Sequence, residues 1–326
     1  MKKTKLLTLL SFAGMMMTAC AGVKPNYIIE YDPEKVYNIG ICQLVTHPAL
    51  DQATDGFIEA VKEGLGESKV SFDRQEAAGD SATCLTICNS FVSKKVDLIM
   101  ANATPAVQAA ANSTLTIPVL GTSVTEYGVA LNIKKFSGTV GSNISGTSDL
   151  APLDGQADMV TELFPNAKTV GLLYCSAEAN SKYQIDTIKG FLSQKGLTTK
   201  TITFAESNEL QSVLNANVNG LDVLYIPTDN TCADNTSLID SVCRAKKLPV
   251  ICGEENMCKG CGVASLSINY FNLGKKTGQM AVDIIKNGKD ISKMPIAYDE
   301  GPVKKFNKTI CDELGVTVPS TYVEVE

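Results

Sequence analysis

The sequence predicts an α/β protein of two Rossmann-like lobes with parallel sheets, and three observations carry that expectation. From Val36 onward, short apolar runs alternate with amphipathic stretches of helical period, the pattern of right-handed βαβ units. The alternation runs to a Gly/Ser/Thr/Asn-rich stretch, SGTVGSNISGTSD, and then starts again. At 326 residues and 44% apolar content the chain is about twice as long as one core of roughly 150 residues requires.

The elements follow in order. MKKTK carries three lysines, and LLTLLSFAGMMM is an uncharged apolar run of 12 residues. That is too short for a bilayer span of about 20 residues and reads as a secretory signal over residues 1–19. Met17-Thr18-Ala19-Cys20 resembles the lipobox of bacterial lipoproteins, which implies lipidation of Cys20 and a lipid anchor. Without the signal the balance is 26 basic against 35 acidic residues, a net charge of −9. Residues 20–35 have no sustained period and hold two prolines, so they read as a lipidated tether.

In the first half, VYNIGICQLV, KVSFDRQEA, VDLIMAN and IPVLGTSV read as strands. Between them lie helices at Pro48 to Glu63, Ser81 to Ser93 with Ser81 as N-cap, and Pro105 to about Asn112. The second half repeats the phrase: helices at Leu153 to Leu163, Ser181 to Lys195, Glu209 to Asn215, Ser237 to Lys247 and Tyr270 to Asn287 alternate with TVGLLYCS, KTITFA, VLYIP and LPVICG. Gly138 to Asp149 is the expected joint between the lobes.

Composition excludes several function classes. A formal charge of −6, with no Lys/Arg cluster beyond the first five residues, argues against gripping nucleic acid. One histidine, His47, leaves little material for acid–base catalysis or a multi-histidine metal site. No GxSxG elbow, phosphate-binding glycine loop or HExxH helix occurs. A binding protein is expected, with no enzyme activity, cofactor or metal. The ten cysteines beyond Cys20 sit mostly in apolar runs, and Cys258-x-x-Cys261 lacks a matching second pair, so free thiols are expected.

Ligands of open parallel sheets bind outside the carboxyl ends of the strands. The residues that follow the strands here carry amides, hydroxyls and carboxylates, with no lysine or arginine among them. Thr104-Pro105 is a helix start whose free N–H groups suit a carboxylate, although Thr104 could simply cap its helix. Thr228, Asp229 and Asn230 offer an anion and two hydrogen-bonding side chains to an ammonium; alternatively Asp229 caps the helix after it. Ser123 lies in the loop Gly121 to Glu126; of Glu254 and Glu255, at most one points inward. Pro48 fixes His47 at a helix start that faces the expected cleft, and Tyr127 and Tyr174 either stack on an aromatic ligand or pack in the core.

The phrases IGICQLVTHPALDQATDGFIEAV, ANATPAVQAAANST, IPVLGTSVT, GTSDLAP, LFPNAKTVGLLY, LYIPTDNT, LPVICGEE and INYFNLGKKTGQMA resemble the ABC transporter substrate-binding lipoproteins of the tryptophan/tyrosine-type group, across nearly all of residues 36–296. The resemblance implies a type I periplasmic-binding-protein fold, a ligand cleft between the lobes and an ABC permease as partner. It implies an N-terminal lobe of residues 36–143 plus 267–288, and a C-terminal lobe of residues 144–266 plus 289–326. Gln43, His47 and Pro48 match the family's first loop, Thr104 its Ala-Thr-Pro, Thr147 and Ser148 its Gly-Thr-Ser, and Thr228 to Asn230 its Thr-Asp-Asn. The expected function is an extracytoplasmic, monomeric, lipid-anchored receptor that closes on a small, aromatic amino acid for import. Thr104 would hold the carboxylate, Asp229 the ammonium, and His47 the side chain. A sugar or other small-solute receptor and a sensory binding module are the alternatives.

Overall fold

A computed structural model describes residues 27–298 and 301–325. The expected signal segment, Cys20 and the start of the tether lie outside the described residues. The first nine elements are β1 (Tyr37–Gln43), α1 (Pro48–Leu65), β2 (Val70–Glu76), α2 (Ser81–Lys94), β3 (Leu98–Asn102), α3 (Thr104–Ser113), β4 (Val119–Val124), α4 (Tyr127–Ala130) and β5 (Ile144–Ser148). Then come α5 (Leu153–Leu163), β6 (Thr169–Cys175), α6 (Ala179–Gln194), β7 (Thr198–Phe204), α7 (Leu210–Asn217), β8 (Val223–Ile226), α8 (Asn230–Asp234), α9 (Thr236–Ala245), β9 (Val250–Cys252), α10 (Glu255–Cys261) and β10 (Ala264–Ser267). The chain closes with α11 (Tyr270–Ile285), β11 (Ala297–Tyr298), β12 (Val303–Phe306), α12 (Lys308–Leu314) and β13 (Val323–Glu324).

These strands make two sheets, ordered β2-β1-β3-β4-β5-β11 and β7-β6-β8-β9-β10-β12-β13. Every pairing is parallel except β10 with β12. The two orders are copies of one plan, with the topological switch beside β1 in the first lobe and β6 in the second. Such switch points open a crevice at the strand carboxyl ends. Side chains alternate between the faces of each sheet. In β3, Leu98 and Met100 join one core while Ile99 and Ala101 join the other, so both faces need helices.

The expected lobe boundaries shift. Residues 144–148 form β5, which pairs with β4 in the first sheet, and β11 extends that sheet although residues 289–326 were expected in the second lobe. The Gly/Ser-rich composition suggested a linker. In fact Gly146, at φ +146°, lets β5 approach so closely that an added Cβ would lie 2.0 Å from Gly121 O. Residues 27–35 are not a free tether either. Tyr27 and Ile29 pack on the first core, and the ring of Tyr31 stacks on that of Tyr37 at 6.0 Å.

Local signals differ by a residue or so at helix starts. Asp80, not Ser81, caps α2 by accepting the Thr83 N–H at 2.6 Å. Ala103, in the left-handed region at φ +90°, precedes α3, and Thr104 is its first residue without a capping bond. All ten described cysteines are free and buried. Burial raises the thiols of Cys175 and Cys311 to about 11, which leaves little nucleophilic thiolate at neutral pH. On α10, Cys258 and Cys261 turn their sulfurs toward the carbonyls of Gly262 and Met257, at 3.7 and 3.4 Å.

Helices α1 and α11 pack through glycines. A Cβ on Gly274 would lie 2.0 Å from Ala53 O, and one on Gly56 would lie 2.1 Å from Phe271 O. Both obstacles are backbone atoms, so neither can rotate away. Gly274→Ala should therefore destabilise the protein by about 2–3 kcal/mol. Gly190→Ala, on α6 where nothing lies within 4 Å, should stabilise it by about 0.5–1 kcal/mol. Urea denaturation of the two variants checks this; effects of equal sign would contradict the close helix approach.

Candidate ligand site between the lobes

At the carboxyl ends of the two sheets lies a narrow cavity lined by residues of both lobes. The first lobe contributes His47, Ala49 and Leu50 from the start of α1, Ser123 and Thr125 from the end of β4, Asp149 from the end of β5, and Tyr270 from the start of α11. The second lobe contributes Asn180 from α6, Thr228, Asp229, Asn230 and Ala233 around the start of α8, and Glu254 and Met257 around the start of α10. Among the described residues, no lysine or arginine lines it.

Of the expected residues, the structure brings His47, Ser123, Thr228, Asp229, Asn230 and Glu254 to this cavity; Gln43, Pro48, Thr104, Thr147 and Ser148 do not line it. Gln43 is spent on structure. Its amide nitrogen donates to Val45 O and Asp51 Oδ1, and its amide oxygen accepts from Thr54 and Arg74. Pro48 opens α1. Thr147 bonds to Thr122 and Thr277, pinning β5 to β4 and α11. Ser148 donates to Thr125 O at 2.8 Å and accepts the Leu150 N–H, which shapes the segment carrying Asp149. Tyr127 and Tyr174 are core residues; the Tyr127 hydroxyl is buried on Thr147 O.

Asp229 lines the cavity but is already engaged. Its Oδ1 accepts the Cys232 N–H at 2.9 Å as N-cap of α8, and its Oδ2 accepts the Cys175 N–H at 2.7 Å. Glu254 likewise caps α10, accepting the N–H groups of Asn256 and Met257. The open carboxylate is Asp149, which sequence reading placed only at the end of a loop. Tyr270 donates to its Oδ2 at 2.9 Å, while Oδ1 is buried without a partner. Its signal was available: an acid directly after a strand, ahead of a helix start. The Gly/Ser-rich run before it masked the strand.

Among the described residues, seven buried side-chain polar atoms lack partners, and four belong to this cavity: His47 Nδ1, Ser123 Oγ, Asp149 Oδ1 and Asn180 Oδ1. Buried polar atoms are nearly always paired, so a cluster of unpaired ones marks a place where a ligand supplies the partners. Ser123 also holds a left-handed backbone at φ +53°, a strain that functional sites tolerate. At the same spot, α1 presents free donors. Pro48 has no N–H, and the Asp51 N–H starts the ladder on His47 O, which leaves the amides of Ala49 and Leu50 at the positive end of an 18-residue helix. Of the two proline-marked helix starts, that of α1 lines this cavity, whereas the α3 start at Thr104 does not.

Burial sets the electrostatics. It pushes Asp149 up to about 6 and Asp229 and Glu254 up to about 7, against hydrogen bonds that pull each down. Burial also lowers the His47 value and keeps the imidazole neutral. Asp149 holds its proton more tightly folded than unfolded. Its cost to stability is therefore absent below the unfolded value of 3.8 and present in full above about 6. Asp149→Asn should stabilise the unliganded protein at pH 7 by about 2–3 kcal/mol, a gain that vanishes by about pH 4. Thermal unfolding of both proteins between pH 4 and 7 checks this; a difference that does not change with pH would contradict the burial of Asp149.

Comparison with known proteins identifies the family and the fold. Residues 38–324 match the family "ABC transporter substrate binding protein". A tyrosine-binding protein of Clostridioides difficile (strain R20291) is 35% identical over 309 residues, 91% of this chain and 88% of that one. A Streptococcus pneumoniae ABC domain solved with L-Trp overlays with a TM-score of 0.83 at 32% identity, covering 87% of this chain and 96% of the other. A ligand-free, open substrate-binding protein with adhesive properties from Clostridium difficile reaches 0.68 at 37% identity, covering 89% and 100%. The fold is that of type I periplasmic binding proteins. The chain belongs to the ABC transporter substrate-binding proteins, an extracytoplasmic family that binds its substrates without transforming them.

Proposed function

We propose that this protein is the receptor of an ABC importer for an aromatic amino acid, tryptophan or tyrosine, which it encloses between its lobes. The observation that carries this is the cluster of unpartnered atoms around Asp149, beside the free amides of α1. The acceptors Asp149 Oδ1 and Asn180 Oδ1 suit an ammonium; the amides of Ala49 and Leu50, with the Ser123 hydroxyl, suit a carboxylate. A zwitterion satisfies both at once. Leu50, Met257, Ala233 and the Tyr270 ring supply apolar lining for a side chain.

Two further observations support it. The relatives include a protein named for tyrosine and a structure holding L-Trp. The chain also overlays better on the Trp-bound structure than on the open one, despite lower identity, which supports a closed arrangement of the lobes. A neutral sugar would fill the space but leave Asp149 without a cation. The lipobox-like segment at Cys20 and the family membership together support anchoring to the outer face of the cell membrane, with delivery to an ABC permease.

Isothermal titration against the twenty amino acids and simple sugars tests the reading. An aromatic amino acid should bind with Kd below about 100 µM, roughly −5.5 kcal/mol. Asp149→Ala should weaken binding by about a hundredfold or more, because it removes the counter-charge of a buried ammonium. Thr104→Ala should change Kd by less than about threefold, within the error of an uninvolved site. Failure of every aromatic amino acid to bind would sink the assignment.

A further inference from the structure

His47, the one histidine of the chain, stands at the N-cap of α1, yet its side chain makes no capping bond to that helix. Its Nε2 instead meets Asn230 Oδ1 of the second lobe at 3.4 Å. Its Nδ1 is buried without a partner, and the residue lines the cavity. The protonation of the ring follows from what holds Asn230. Glu178, at the N-terminal end of α6, accepts five hydrogen bonds: from Asn180 Nδ2, from the Asn230 N–H and Nδ2, and from the Thr231 N–H and hydroxyl, all between 2.7 and 3.0 Å.

A carboxylate offers acceptors only. The nitrogen of the Asn230 amide must therefore face Glu178, which turns its oxygen toward His47. An oxygen facing Nε2 requires a proton on Nε2. Burial opposes a second proton on this ring, so Nδ1 keeps its lone pair. A buried acceptor thus waits beside the helix start whose free amides suit the ligand carboxylate. In an α-amino acid the donor next to that carboxylate is the ammonium, one carbon away.

We propose that Nδ1 of His47, fixed as an acceptor by the Asn230–Glu178 pair of the opposite lobe, takes a hydrogen bond from the α-ammonium of the ligand. His47 then determines specificity for a free amino group. Because its tautomer is set from across the cleft, it does so only when the lobes are closed, and ligand selection and closure share one side chain. The proposal rests on the amino-acid reading of the cavity and adds to it a residue, an atom and a protonation state.

The solitary histidine makes the test clean, since ¹⁵N-histidine labelling reports one ring. With saturating L-tyrosine or L-tryptophan, the spectrum should show the Nε2–H tautomer, with the Nδ1 resonance displaced by hydrogen bonding. In Asn230→Ala, with the same ligand, the preference for the Nε2–H tautomer should weaken. By calorimetry, His47→Gln should weaken L-tyrosine and L-phenylalanine equally, by roughly tenfold or more, as expected for a lost bond to a charged group. His47→Asn, whose amide oxygen can stand where Nδ1 does, should recover part of that loss. An Nδ1–H ring in the complex would overturn the proposal. So would a loss seen with tyrosine but not phenylalanine, which would mean that the phenol is the donor. Either result with normal amino-acid binding leaves the reading of the cavity intact, whereas no binding of any amino acid would overturn both.

Discussion

A carboxylate enclosed between two lobes, with no lysine or arginine among the described residues that line its cavity, costs free energy until a cation arrives, and Asp149 occupies that position. Much of the surrounding structure maintains it. Ser148 and the Asp149 N–H fix its backbone against Thr125 and Val124. Thr147 anchors its strand to α11, which also supplies Tyr270 as its hydrogen-bond donor. The glycine contacts between α1 and α11 set the distance between that tyrosine and the N-terminus of α1. Packing far from the cavity therefore decides whether an ammonium and a carboxylate can be held at the spacing of one zwitterion.

Closure follows from the same constraint. The lobes touch through weak polar pairs: His47 with Asn230, Thr125 with Thr228 and Gln184, and Gln52 with Asn256, at 3.4 to 3.5 Å. Exposed or long contacts of this kind contribute little. A ligand that bonds Asp149 and α1 on one side and Asn180 on the other binds the closed state far better than the open one. That differential affinity is what shifts the population. Asp229 and Glu254 cap α8 and α10 and so fix the second-lobe wall of the cavity that they line.

Much of this was legible in the sequence. The alternation of apolar runs and helical periods depends on local chemistry, so it located both sheets and the loops at their carboxyl ends; His47, Ser123 and Asn230 followed from position after a strand. Errors arose where long-range packing overrode composition. The run before Asp149 reads as a linker because glycine and serine favour turns, yet Gly146 is there for a close strand pair. Thr104 and Gln43 carry the right chemistry, but tertiary packing buries one away from the cavity and saturates the other. Asp229 illustrates a different difficulty: a capping aspartate and a ligand-binding aspartate look alike until the helix amides behind them are seen.

The most direct measurement is a crystal structure of the protein with bound L-tryptophan or L-tyrosine. The ligand ammonium should lie within hydrogen-bonding distance of Asp149 Oδ1, with its carboxylate on the amides of Ala49 and Leu50 and the lobes closed around it. An ammonium held by Asp229 instead, or a carboxylate at the start of α3, would contradict the account.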